Sequence, residues 1–139
     1  MVSLFNVYVP MTLEDKKDCW TSLRAILEEI ILDNIIIVGD LNITLGLDEK
    51  KGGSRVKDTI REWVEDLIQD WYLLDMKLDK GKFSWTNKRI GPSHIAGQSH
   101  IAARLDRFLV QSSFLLMGLD GSSEILLQEC QIISQFGWN

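Results

Sequence analysis

The stretch Asn34-Ile35-Ile36-Ile37-Val38-Gly39-Asp40-Leu41-Asn42 decides how the rest of the chain is read. Four consecutive β-branched residues, Ile35 to Val38, read as a strand buried on both faces. Chemistry in α/β proteins gathers at the carboxyl edge of such a strand, and there stand Asp40 and Asn42. Asp40 is an anionic acceptor, while Asn42 brings both a donor and an acceptor. The pair suits a metal, a water or a phosphate oxygen. Gly, Asp and Asn are also ordinary turn residues, so the neighbours have to decide between the two readings.

Toward the N-terminus, residues 4–9 alternate as a strand. Phe5, Val7 and Val9 share one face; Leu4, Asn6 and Tyr8 share the other. Pro10 ends it. Thr12-Leu13-Glu14-Asp15 is a capping-box pattern, with acids where a helix start favours them. Trp20, Leu23, Leu27, Ile30 and Ile31 then form a helical stripe. Strand, helix and buried strand in succession predict a parallel pair with a right-handed crossover.

Toward the C-terminus, residues 45–57 read as a polar loop carrying Gly46, Gly52 and Gly53. Ile60, Trp63, Val64, Leu67, Ile68 and Trp71 mark a second helical face. Residues 72–78 are extended, Asp79-Lys80-Gly81 is a turn, and residues 82–86 are a short strand. Residues 104–110 read as a strand, with Arg104, Asp106 and Phe108 on one face and Leu105, Arg107 and Leu109 on the other. Arg104 and Asp106 are spaced for a same-face ion pair. A short helix over 114–119 and a last strand over 124–133 follow. The hexapeptides Gly91–Ala96 and Gly97–Ala102 differ at one position, a tandem copy that lengthens a hairpin loop. His94 and His100 therefore arise together, and no Cys or acid nearby completes a metal set.

At 139 residues the chain is expected to form a single domain over 1–139. Its 45% apolar content, with five Trp and five Phe, excludes disorder. No apolar run approaches the length of a membrane span. The start lacks a basic leader and a small-residue cleavage site, so an intracellular chain, nuclear or cytoplasmic, is expected, with Cys19 and Cys130 as buried thiols. The net charge of −5 is uneven: −6 over residues 1–49, +4 over 50–110 and −3 over 111–139. An acidic whole disfavours strong non-specific DNA binding. The basic middle permits a local phosphate contact, although a solvated helix face accounts for most of those lysines.

Four short motifs occur in a fixed order: Asn6-Val7-Tyr8-Val9-Pro10, Gly39-Asp40-Leu41-Asn42, Phe83-Ser84-Trp85-Thr86 and Arg104-Leu105-Asp106-Arg107-Phe108-Leu109. This order resembles the second half of the endonuclease/exonuclease/phosphatase family, and within it the endonuclease domain of plant LINE-type retrotransposons. The resemblance runs over residues 5–110 and more weakly to Ser134. It implies an α/β (α+β) fold, part of a four-layer α/β sandwich whose earlier half is missing, and an ancestry in Mg²⁺-dependent phosphodiester hydrolysis of DNA. By resemblance, Asp40 orients or deprotonates the attacking water, and Asn42 holds that water or the scissile phosphate. Tyr8 is a phosphate donor or phenolate, equally readable as an amphipathic strand residue. Ser84 lines the site, and Asp106 orients a His near the end of the domain. Arg104 and Arg107 are expected at the substrate.

The departures imply an inactive form. Where the family closes on Ser-Asp-His, this chain has Ser134-Gln135-Phe136, and neither an amide nor a phenyl ring ionises. The family's main Mg²⁺ ligand, a Glu, belongs to the earlier half. Asp40 alone is a poor Mg²⁺ site, so no metal is expected here and DNA binding is expected to be weak or absent. Three other readings stand beside this one. One is a hydrolase completed by a partner chain. Another is a non-catalytic nucleic-acid or protein binding module using the basic loops over 50–57 and 77–89. The third is an unrelated α/β domain. Self-association through an uncovered apolar sheet face is a further expectation.

Overall fold

The computed structural model describes residues 2–29, 34–54, 57–77, 81–87 and 100–117. The first strand, β1 (Val2–Asn6), leads into helix α1 (Leu13–Glu29) and then strand β2 (Asn34–Asp40). A 3-10 turn (Leu47–Glu49) and strand β3 (Lys50–Lys51) come next, followed by α2 (Arg61–Asp70) and β4 (Leu73–Asp75). The remaining elements are β5 (Trp85–Thr86), β6 (Ala102–Ala103), β7 (Asp106–Gln111) and α3 (Ser112–Met117). Among the described residues they form a four-stranded sheet ordered β1-β2-β7-β4 and a three-stranded sheet ordered β3-β6-β5.

The expected β-α-β unit is present. β1 and β2 run parallel, with Leu4 beside Ile36 and Asn6 beside Val38. The pairing continues past β1, since the Val7 and Val9 amides donate to the Val38 and Asp40 carbonyls. The helix start is also as read. The Asp15 amide donates to Thr12 Oγ1 at 3.3 Å, and the Thr12 hydroxyl donates to the Asp15 carboxylate at 2.6 Å. Along α1 the buried positions are Lys16, Trp20, Leu23 and Leu27, one helical stripe that packs on the sheet.

β2 is buried on both faces because two separate cores meet on it. Ile35 and Ile37 join Trp20, Leu23, Leu27, Val64 and Leu67 beneath the two long helices. Ile36 packs instead with Val110 and Phe114 beneath α3, with Val38, Met76 and Phe108 at the margin. Each fully buried Ile or Leu contributes on the order of 2 kcal/mol, so this strand carries more of the packing than any exposed edge strand.

Gly39 is not a turn residue. It lies inside β2 at φ 131°, and a Cβ there would fall 2.0 Å from the Val7 carbonyl oxygen. Backbone cannot retreat as a side chain can. Gly39→Ala is therefore expected to cost at least about 2 kcal/mol, read as a lowered urea midpoint. A midpoint within error of wild type would contradict the close approach.

Three local expectations are corrected. The 45–57 loop contains a 3-10 turn and a strand, because Glu49 is pulled inward by arginines. The strand predicted over 104–110 starts later, at Asp106, and a separate short strand precedes it. Ala102–Ala103 belong to the small sheet and Asp106–Gln111 to the large one, with Arg104 and Leu105 crossing between. Trp63 is exposed, since the buried stripe of α2 follows Ile60, Val64 and Leu67. The expected strand over 124–133 and residues 91–99 of the duplicated loop, His94 among them, lie outside the described residues. No helix among the described residues is long and apolar enough to cross a membrane.

Candidate functional site

The end of β2 meets the start of β7. Asp40 and Asp106 are direct partners in the antiparallel register, so their side chains leave the same face. The Leu41 amide donates to the Leu105 carbonyl at 3.0 Å just beyond them. Tyr8 continues the same row from the neighbouring strand, because Val9 donates to the Asp40 carbonyl. Its ring is 69% exposed, a position that suits both the site reading and the amphipathic-strand reading.

Asn42 sits immediately past this row with φ 45°, a left-handed conformation that Asn tolerates better than most residues. That turn brings its backbone amide to Asp40 Oδ1 at 2.9 Å. Its side-chain amide donates to the Val9 carbonyl, tying the loop to the end of the first strand. The Asn42 carbonyl accepts from Lys16 Nζ at 2.7 Å, and the same ammonium donates to Asp58 Oδ2 at 2.7 Å. Lys16 is nearly buried yet lies on the apolar stripe of α1. Sequence reading passed over it, because a long amphipathic side chain fits a helix flank without further meaning.

Asp40 titrates above its ordinary value. Burial is the main cause, and the facing Asp106 carboxylate adds to it; the Asn42 amide and the Lys16 charge act in the opposite sense. Two like charges on one cross-strand pair disfavour double ionisation.

Ser84 joins the cluster through its oxygen. Ser84 Oγ accepts from the Leu105 amide at 2.9 Å and the Asp106 amide at 3.0 Å. It fixes the start of β7 and so the direction of Asp106.

Arg104 and Arg107 are not at this site, which corrects their expected placement at the substrate. Both are buried on internal carboxylates. Arg107 binds Glu49 and, at 2.6 Å, Asp75. Arg104 binds Glu49 at 3.1 Å and Asp75 at 2.7 Å. The expected Arg104–Asp106 pair is likewise replaced, since Asp106 stays exposed while Arg104 turns inward. Glu49 is held down at about 2 despite burial, because the Arg107 hydrogen bond and charge outweigh the cost of desolvation, helped by the Leu45 and Gly46 amides. This four-membered cluster had no signal in the sequence beyond the arginines themselves.

The fold is similar to that of a retrotransposon endonuclease domain. The solved structure is the endonuclease domain of TRAS1, a telomere-specific non-LTR retrotransposon, matched with a TM-score of 0.53 at 14% identity. The match covers 82% of this chain and 46% of that one. This chain therefore spans less than half the length of that domain. No family model matches the chain, and no curated protein matches it in sequence.

The donor set was tested against Mg²⁺, which wants a near-octahedral shell of hard oxygens. Among the described residues no group of three or more His, Cys, Asp or Glu side chains is placed to hold a metal ion. Asp40 and Asp106 supply two carboxylates, while Glu49 and Asp75 are bound to arginines. The protein's usual share of a Mg²⁺ shell is one or two carboxylates, with water and phosphate oxygens completing it, and Asp40 with Asp106 are the described residues that would hold such an ion. The Gln135–Phe136 positions, where the resemblance expects Asp and His, lie outside the described residues.

Proposed function

We propose that this chain is the remnant of a retroelement DNA endonuclease of the endonuclease/exonuclease/phosphatase type, related to plant LINE-type elements and inactive in this form. One observation carries the reading. Asp40, Asn42 and Asp106 meet at one sheet rim, on a fold similar to a retrotransposon endonuclease domain. Asp40 is the water-facing acid, Asn42 holds it through its backbone amide while its side-chain amide ties down the Val9 carbonyl, Asp106 and Tyr8 flank them, and Ser84 sets the direction of Asp106. Phosphodiester cleavage also needs charge stabilisation and help for the leaving oxygen. In an enzyme of that type Mg²⁺ would supply both, held by carboxylates such as Asp40 and Asp106.

A second reading is a hydrolase completed by a partner chain. The observation favouring it is coverage: 46% of the TRAS1 domain is matched, leaving more than half of that domain to be supplied from elsewhere. A binding module using the basic loops is less favoured. Lys50 is engaged with the Ser54 carbonyl and Lys82 with Asp48.

These readings separate on a labelled 20-base-pair duplex, with binding followed by anisotropy and cleavage by gel. The remnant reading expects no cut product with Mg²⁺ present. It also expects only weak, salt-sensitive binding, in the non-specific range of about 10⁻⁴–10⁻⁶ M. Tight binding without cleavage favours the module and contradicts the remnant.

A further inference from the structure

The loop that leaves Asp40 is held by charge as well as by packing, since Leu41 and Ile43 on either side of Asn42 are buried in the core. The Ile43 carbonyl accepts from Arg107 Nη2 at 3.1 Å. The Leu45 and Gly46 amides donate to Glu49 Oε2 at 2.7 and 3.2 Å. That same carboxylate oxygen is bound by Arg107. One ion pair therefore fixes three backbone groups within four residues of Asn42. Asp75 braces the guanidinium from β4 at 2.6 Å.

We infer that the Glu49–Arg107 pair is a positioning device for Asp40 and Asn42, holding the loop so that the Asn42 amide lies on the Asp40 carboxylate. Asn42 is in a left-handed conformation, φ 45°, which a free loop populates sparsely. With the Ile43 carbonyl and the Leu45 and Gly46 amides pinned, that conformation is the one that connects β2 to the pinned segment. Lys16 holds the Asn42 carbonyl from the opposite side at 2.7 Å. The Asn42 side chain remains directed at Val9 for the same reason. Glu49 and Arg107 touch neither Asp40 nor Asn42 side chains in any described contact; they act through the backbone between. The inference rests on the reading of Asp40 and Asn42 as the site pair, and its test uses no DNA, so the two fail separately.

The experiment is amide hydrogen exchange resolved at single residues, on wild type, Glu49→Gln and Arg107→Lys. Glu49→Gln is expected to speed exchange at Asn42, Leu45 and Gly46 by about tenfold, the loss of one net hydrogen bond. Arg107→Lys is expected to do the same, since an ammonium lacks the planar fork that reaches Glu49, Asp75 and the Ile43 carbonyl at once. The Val7 and Val9 amides, which belong to the strand ladder, are expected to stay within about threefold. Acceleration at Leu45 and Gly46 with Asn42 unchanged overturns the inference. So does a uniform acceleration of all amides, the mark of a purely structural pair. If a variant fails to fold, wild-type exchange in rising urea decides. A common denaturant dependence for Asn42, Leu45 and Gly46 supports the device, and Asn42 following the ladder amides overturns it.

Discussion

Arg107→Met is expected to destabilise the protein by about 3–5 kcal/mol, because it takes a fully buried guanidinium from one buried carboxylate, Glu49, and one half-buried carboxylate, Asp75, rather than removing one contact. Glu49 and Asp75 both lose their closest guanidinium, and the Ile43 carbonyl loses its donor. Arg104 remains, but it already binds both acids. For a domain of this size the loss corresponds to a melting shift of roughly 10 °C or more. The surface pair Arg24–Asp70 is the control. At 2.6 Å it is as short as the Arg107–Asp75 contact, yet both partners are solvated, so Arg24→Met is expected to cost under about 1 kcal/mol. A similar small shift for both variants would show that the cluster is not desolvated as described. Acid titration reads the same cluster. Glu49 lies at about 2 against an ordinary 4.5, so its stabilisation is full above 4.5 and is lost as pH falls toward 2. Asp40 has the opposite sign. Its raised value favours the folded state below 3.8, and that contribution disappears as pH climbs through the raised value.

The second large effect concerns the open face of the four-stranded sheet. Leu4, Ile36, Val110 and Leu74 form one row across all four strands. Helix α3 covers the middle of that row through Phe114. Its ends are open, with Leu4 58% and Leu74 46% exposed. The next row brings Val38, Phe108 and Met76 to the margin of the same core. An apolar face of this kind normally marks a partner surface or an aggregation hazard, and among the described residues β1 is an edge strand paired on one side. The isolated chain of 15.9 kDa is expected to sediment above the monomer mass at micromolar concentrations, or to melt broadly. Leu4→Lys combined with Leu74→Lys is expected to restore a monomer. A wild-type monomer with one sharp, reversible transition would show that α3 and the described elements close the core unaided.

Much of this arrangement was legible because it follows short-range rules. The β-branched run at Ile35–Val38 and the alternation over residues 4–9 set the strand faces, and the stripe of Trp20, Leu23 and Leu27 set the helix between them. The placement of Asp40 and Asn42 followed from the strand end alone, and Asp106 and Ser84 followed from the motif order. What stayed hidden depends on distance along the chain. Glu49 finds Arg104 across 55 positions and Arg107 across 58, and nothing local marks a Glu in a glycine-bearing loop as buried. The two arginines were therefore assigned to a substrate when the fold directs them to internal acids. Gly39 misled in the opposite way. Its type suggested a turn, whereas the Val7 backbone passes too close for any side chain. Trp63 shows the limit of periodicity: one position away from Val64 on α2, it turns out of the buried stripe.

Conversion of supercoiled plasmid to nicked circle tests the proposed inactive endonuclease remnant most directly. A single cut per molecule is visible, so even weak hydrolysis registers. Each absent acid, base or electrostatic group costs on the order of 10²-fold or more, and by the resemblance Gln135 and Phe136 stand where an Asp and a His are needed. The purified chain is expected to nick no faster in Mg²⁺ than buffer alone. Nicking that requires Mg²⁺ and disappears in Asp40→Ala would contradict the account, because it would mean that the rim formed by Asp40, Asn42 and Asp106 is a working site.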